Sequence, residues 1–304
     1  MNEALRDFPE FPQFRDIRID DKPVLDDLFS RFPPVISEFT FTNLFIWRHS
    51  YRTKVTRLQD FLCLLADRAE RPFFFPVIGE GDVIRCYQEL LGYLKEKGTE
   101  PGVCRVPESF AARGDLEAAG IRVEPDRSQS DYVYLTRDLI SLQGRKYHRK
   151  RNHIKQFKEK YSYQYVPLTA EWIPECLRLE KEWCNLRSCD AVPGLTNESV
   201  AIRELFSHFD RLKVTGGVIV IDGKVEAFTF GEPLNPQTVV IHIEKANSAF
   251  DGLYPMINQA FLENHWAAFE YVNREQDLGE EGLRKAKESY FPYHLVDKVN
   301  LSLK

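Results

Sequence analysis

The sequence predicts a mixed α/β protein, an α+β arrangement with mixed sheets in two tandem domains, and three observations carry that prediction. A chain of 304 residues exceeds the roughly 100–200 that usually share one core. A composition of 43% hydrophobic and 13% aromatic residues matches a folded globular chain and excludes extensive disorder. One order of elements (helices, a hairpin, a strand, a helix, a strand) occurs twice, roughly 150 residues apart. The repeat places a boundary near residue 136, with domains 1–135 and 136–304.

In the first half a polar segment with Pro9, Pro12 and Pro23 leads into the aromatic run Phe39 to Trp47. Lys54 to Leu58 and Phe61 to Ala66 read as strands joined at Gln59-Asp60. A further strand follows at Phe73 to Ile78. Asp82 is placed to cap an amphipathic helix that runs through Lys97 and stops at Gly98. Val103 to Val106 predicts a short strand, Phe110 to Ala119 a helix, and Tyr132 to Leu135 another strand.

The second half has stronger signals. Arg145 to Tyr161, Ile173 to Leu186 and Ser199 to Asp210 predict helices. Val218 to Ile221 and Val225 to Phe230 flank Asp222-Gly223, a favoured two-residue turn because both positions tolerate positive φ. Val239 to Glu244 predicts a strand. Leu253 to Trp266 predicts a helix with Leu253, Ile257 and Phe261 on one face, and Phe269 to Asn273 the next strand.

The net charge of −5 argues against a general nucleic-acid coat but hides a local reversal. Arg145 to Lys158 contains seven Lys or Arg, two His and no acid, so this segment carries +7 and the remainder −12. Tyr147, Ile154, Phe157 and Tyr161 would pack one stripe of that helix and leave the cations outward. Uncompensated like charge destabilises a helix unless an anion offsets it, so phosphates of RNA, of a nucleotide cofactor or of a lipid are the expected partners. The longest uncharged runs fall short of a bilayer span and the first residues lack a signal-peptide pattern, which predicts a cytoplasmic protein. Six cysteines without a C-x-x-C pair are too sparse for a disulfide framework, and no metal site is expected. Cys63 and Cys86, among apolar neighbours, read as reduced core thiols.

Chemistry concentrates where two strands of the second half end. Val239 to Ile243 runs into Glu244-Lys245-Ala246-Asn247, and the next strand runs into Asn273-Arg274-Glu275-Gln276-Asp277. Ligands gather at the carboxyl ends of parallel strands, and six ionisable groups (His242, Glu244, Lys245, Arg274, Glu275, Asp277) exceed what turns require. In the segment that follows, Glu280–Arg284, Glu281–Lys285 and Arg284–Glu288 make i,i+4 pairs. Lys287 has no carboxylate at helical spacing, which marks it as a candidate ligand contact.

Gly217 to Glu232, Ile241 to Asn247, Tyr271 to Gly279 and Gly282 to Tyr290, with Gly144 to His153 and Thr42 to Trp47, resemble the soluble family related to the C-terminal domain of phosphatidylglycerol lysyltransferase. The resemblance implies two tandem GNAT-type acyltransferase domains, as in Fem-type aminoacyltransferases. The first would be a degenerate domain that shapes the cleft, and the second would carry the site. It also implies acyl transfer, in which an amine or hydroxyl attacks a carbonyl, a base removes a proton and donors stabilise the oxyanion. Acetyl-coenzyme A enzymes of this fold place small residues in the loop that cradles the pyrophosphate. This chain has Asp251-Gly252-Leu253-Tyr254 there, which ranks aminoacyl-tRNA above acyl-coenzyme A as co-substrate.

The resulting expectation is an aminoacyl- or acyltransferase without a tightly bound cofactor. Glu244 or Asp277 would be the general base, Arg274 and Lys287 would hold the donor or oxyanion, and Asn273 and Tyr290 would orient the acceptor. Arg145, Lys146, Arg149, Lys150 and Arg151, with Asn247 and Gly252, would take the donor's phosphates. The acceptor would be a small molecule, a peptide or a lipid head group, and tRNA the macromolecular partner. The rival expectation is a non-catalytic protein that binds RNA or an anionic lipid head group on the same basic face.

Overall fold

Two mixed sheets, one in each of two units, organise the chain. The structure is a computed structural model, which describes residues 5–68, 71–100, 102–112 and 115–304. The first unit takes residues up to Asp131 together with Gln276–Glu281 and Leu295–Lys304; the second takes Tyr132–Glu275 and Gly282–His294. Neither unit is continuous in sequence, which differs from the single boundary near residue 136 that the repeat suggests.

In the first unit the strands are ordered Arg15–Asp16, Thr53–Leu58, Phe61–Ala66, Phe73–Phe74, Val103–Pro107, Lys298–Leu303 and Ile121–Pro125, with Ile78–Gly79 paired to Phe61–Ala66. The hairpin lies where Gln59-Asp60 predicts it, with Leu58 opposite Phe61 and Gln59 at φ 56°. Phe61–Ala66 is buried along its whole length, as its unbroken apolar run demands. Asp82 caps the helix Val83–Glu96 by accepting from the Arg85 N–H at 3.1 Å, and Leu90, Leu91 and Leu94 join Phe61, Cys63 and Val103 in the core. Of the expected helix at 110–119 the structure gives helical turns at Glu108–Ala111 and Asp115–Ala118, and residues 113 and 114 lie outside the described residues. Thr40 caps the buried helix Phe41–Ile46 formed by the aromatic run.

A buried ionic cluster ties the C-terminal strand into this unit. Lys298 Nζ donates to both oxygens of Glu38, at 2.9 and 2.7 Å, and to Asp131 Oδ1 at 2.7 Å. Asp131 also accepts from the Ser37 N–H and hydroxyl. Glu38 accepts from Gln276 and lies 3.6 Å from Arg105 Nε. Burial alone would raise the Glu38 carboxyl, but Lys298 and Arg105 outweigh it and hold it below its usual value.

In the second unit successive sheet neighbours are Asp131–Leu135, Tyr271–Asn273, Thr238–Ala246, Lys224–Asn235, Thr215–Ile221 and Tyr163–Pro167. Only Thr238–Ala246 and Tyr271–Asn273 are parallel within this run, with Val240 opposite Asn273. The Asp222-Gly223 turn has φ of 50° and 78°, the double positive pair that its residues permit. The basic segment is a short 3₁₀ turn, Arg145–Tyr147, leading into the helix His148–Lys160. Leu253–Phe261 is α-helical and widens into a π turn over Leu262–Trp266. Ile154 and Phe157 of the basic helix pack with Leu253, Met256, Ile257 and Ala260. Among the described residues no helix is long and apolar enough to cross a membrane.

Candidate active site

Strand alternation decides which of the adjacent polar residues at 242–247 share a face. Along Thr238–Ala246, Glu244 projects to one side of the sheet and the adjacent Lys245 to the other, whereas His242 sits at the register shift opposite Phe230 and Gly231. Lys245 is buried against the helices of that other side, 2.6 Å from Glu198 and over the Trp183 ring at 3.3 Å from its centroid. The Trp183 indole donates to the Tyr254 hydroxyl at 3.0 Å. Helix Ile173–Arg187 ends at Ser188, and Cys184 is bridged to Cys189. Cys63 and Cys86 are free and buried, as their neighbours predict.

On its own face Glu244 is held by two donors. Arg274 Nη2 reaches Oε1 at 3.2 Å and Asn258 Nδ2 reaches Oε2 at 2.9 Å. Arg274 follows the strand Tyr271–Asn273. Its N–H donates to the Tyr132 carbonyl at 2.9 Å and its carbonyl accepts from Lys287 Nζ. The second terminal nitrogen of Arg274, Nη1, is buried without an aligned acceptor among the described residues, while the guanidinium as a whole also has the Tyr290 phenol as a hydrogen-bond partner, with that ring 4.8 Å from the guanidinium carbon. Lys150 Nζ sits 3.9 Å from the centroid of the same ring. Tyr147 donates its hydroxyl to the Tyr290 carbonyl at 3.0 Å, and Tyr134 donates to the Lys287 carbonyl at 2.9 Å. Two tyrosines from separate elements thus hold the segment 287–290 beside Arg274.

The electrostatics follow from one carboxylate among several cations. Burial pushes the Tyr290 phenol up to about 12; Arg274 opposes that shift and Glu244 adds to it. Burial, then the charges of Arg274 and Arg149, push the Lys150 ammonium down to about 8, with Glu244 opposing. Beside the site His242 stands between two carboxylates, Nδ1 2.9 Å from Glu275 and Nε2 2.9 Å from Glu232. Burial would lower its pKa, but the two hydrogen-bonded carboxylates outweigh burial and raise it to about 9.

Of the residues singled out in the sequence, Glu244, Arg274, Lys287, Tyr290 and Lys150 are brought together. Asp277 is not among them. It lies in the first unit, fully buried, where its carboxylate accepts from the Gly279 N–H at 2.8 Å and pairs with Arg127 at 3.4 Å. These contacts hold its carboxylate in its own turn. Asn273 is fully buried and accepts from the Glu275 N–H at 2.8 Å, so it shapes the turn that carries Arg274 and is not exposed to an acceptor. Asn247 bonds Glu226 at 2.7 Å and the Ala249 N–H at 3.0 Å, holding its own turn. Gly252 has φ +85°, and a Cβ there would collide with the His153 carbonyl. It therefore allows the close approach of the helices His148–Lys160 and Leu253–Phe261. Arg151 donates to the carbonyls of Leu142 and Gly144, closing the turn before its helix. Arg145 and Arg149 are exposed, while Lys146 lies over Tyr147 and Phe291. A cavity of about 630 Å³ opens along another face of the basic helix, between Ser141, His148, Arg151, Lys155, Lys158 and Gln259.

Sequence reasoning singled out His242 and Glu275 but missed Asn258 and Glu232, the residue that completes the Glu232–His242–Glu275 cluster. Asn258 had a signal, a buried amide beside Gln259 in the largely apolar helix Leu253–Phe261. Glu232 had none, because it meets His242 only through strand pairing with a register shift.

The fold is shared with solved structures. A conserved protein of unknown function from Bacteroides thetaiotaomicron is 37% identical, with a TM-score of 0.88 over 96% of this chain and 99% of that one. L-PGS from Bacillus licheniformis is 16% identical, with a TM-score of 0.63 over 93% of this chain and 92% of its own. FemX is 9% identical, with a TM-score of 0.58 over 96% and 97%. The mixed α/β fold is accordingly shared with L-PGS and FemX. No curated protein matches the chain. Residues 29–299 match the family described as phosphatidylglycerol lysyltransferase, C-terminal, and the chain belongs to that family.

Proposed function

We propose that this chain is an aminoacyl- or acyltransferase that moves an acyl group from a co-substrate, aminoacyl-tRNA ahead of acyl-coenzyme A, to an amine or hydroxyl. The observation that carries the reading is Arg274. One of its terminal nitrogens is neutralised by Glu244, while the buried Nη1 has no aligned acceptor among the described residues. A buried donor left unmatched is costly, and a carbonyl oxygen that gains negative charge during acyl transfer would satisfy it. Glu244 and Asn258 fix the guanidinium in advance, and Lys287 fixes its backbone. The exposed cations of the basic segment suit donor phosphates, and family membership supports a transferase. The Glu244 carboxylate serves as an anchor in this scheme. No resident cofactor is invoked, a small molecule, peptide or lipid head group is the acceptor, and a charged-tRNA donor places the reaction in the cytoplasm.

The test is donor consumption by the purified chain, with mixed charged tRNAs in one reaction and a panel of acyl-coenzyme A esters in another. Arg274→Gln is expected to slow consumption about 10²-fold, the usual effect of losing one oxyanion donor. Wild-type protein that consumes neither donor, yet binds RNA with steep salt dependence, would replace this reading with the non-catalytic one.

A further inference from the structure

Lys150 belongs by sequence to the run of seven cations, and by position to the site. Its Nζ lies over the Tyr290 ring, which the Arg274 guanidinium also approaches. Those two cations have one carboxylate within reach of the cluster, Glu244, and both of its oxygens are already engaged, by Arg274 and by Asn258. Among the described residues Lys150 makes no ion pair. The other groups that face it offer no anion: Arg149 on its own helix is a like charge, and Tyr290, with Tyr147 and Tyr134 behind it, is neutral at physiological pH because burial raises all three phenols. A half-buried amine set among cations and without a counter-ion favours its uncharged form.

Resting on the acyl-transfer reading above, we propose that Lys150 is the proton-transfer residue of this site. Its neutral amine takes the proton of the attacking acceptor and its ammonium returns that proton to the leaving group. In the first step the acceptor nitrogen or oxygen bonds to the acyl carbon, the carbonyl electron pair moves to the oxygen facing Arg274 Nη1, and the acceptor's proton passes to Lys150 Nζ. In the second step the carbonyl re-forms, the bond from the acyl carbon to the donor's ester oxygen or thioester sulfur breaks, and Lys150 gives its proton to that leaving atom. Protons and electron pairs balance, and the amine returns to its starting state. Glu244 is ill placed for this task because any proton it took would cost it a donor. Asp277 is held in its own turn. The depressed pKa of Lys150, about 8, agrees with the geometry: about a quarter of the amine is uncharged at pH 7.5, against about 0.1% for an ordinary lysine.

Two measurements test the proposal. NMR titration of the Lys150 side chain in the intact wild-type protein, assigned by its loss in Lys150→Arg, is expected to show a midpoint near pH 8, and a midpoint above 10 would overturn the proposal. In the donor-consumption assay Lys150→Arg, which keeps the charge and removes a usable base, is expected to lose at least about 10²-fold in turnover. Lys150→Ala is expected to regain rate with added primary amines, a response that a purely structural lysine would not give. Full turnover by Lys150→Arg refutes the role of Lys150 and leaves the acyl-transfer reading standing. Wild-type protein that consumes no donor refutes the acyl-transfer reading itself, and the role of Lys150 falls with it.

Discussion

Replacing Lys298 by Met should destabilise the first unit by about 3 kcal/mol at neutral pH. Methionine preserves most of the buried stem but removes three charge-assisted hydrogen bonds of 2.7–2.9 Å, two to Glu38 and one to Asp131. Two buried carboxylates then share Arg105, 3.6 Å from Glu38, and the neutral donors of Ser37 and Gln276. Breaking a buried ion pair from one side costs about 3–5 kcal/mol, and the remaining Arg105 places this case at the lower end. The pH dependence has a definite sign. In the wild type the Glu38 carboxyl is held below its usual value, so its contribution is present above pH 4.5 and is lost as pH falls through the folded value. In the variant the same carboxyl is destabilised as an anion and gains stability on protonation. The difference between the two proteins should therefore narrow as pH falls from 7.5 toward 4.5. Native-state hydrogen exchange of Phe61–Ala66 and Val103–Pro107 reports on this unit alone. The double variant Lys298→Met with Glu38→Gln, which removes one charge of each sign, should recover part of the loss. A difference below about 1 kcal/mol, or one that ignores pH, would show that the cluster does not hold the C-terminal strand as described.

Lys287→Met should lower both turnover and the stability of the second unit, the latter by about 1–2 kcal/mol, because Nζ bonds the Arg274 carbonyl. Lys285→Met, on the exposed side of the same helix, should change neither, and equal behaviour of the two in urea denaturation would contradict the assignment. His242 is raised to about 9 by its two carboxylates, so its contribution is complete below about pH 6.5 and is lost as pH rises through 9. The urea midpoint of the second unit should fall between pH 7 and 9.5 in the wild type, and a fall of the same size in His242→Gln would remove His242 as its cause.

Local chemistry alone determined much of this protein. The Gln59-Asp60 and Asp222-Gly223 hairpins, the Asp82 cap, the buried apolar strand at 61–66 and the basic helix all follow from interactions within a few residues, where turn and helix preferences decide the outcome. The family motifs also marked Glu244, Arg274, Lys287 and Tyr290, which gather at one site. Only the tertiary structure decided how neighbours in sequence divide. Alternation sends Glu244 and Lys245 to opposite faces of one strand, and Arg274 and Asp277, three positions apart, fall in different units. The same is true of partners distant in sequence: Lys298 meets Glu38, His242 meets Glu232 through a register shift, and Lys150 separates from the cations of its own helix to stand over Tyr290. The physical reason is common to these cases. Periodicity reports which side of an element a residue occupies, whereas the charge state and partners of a buried group depend on what other elements bring to that side.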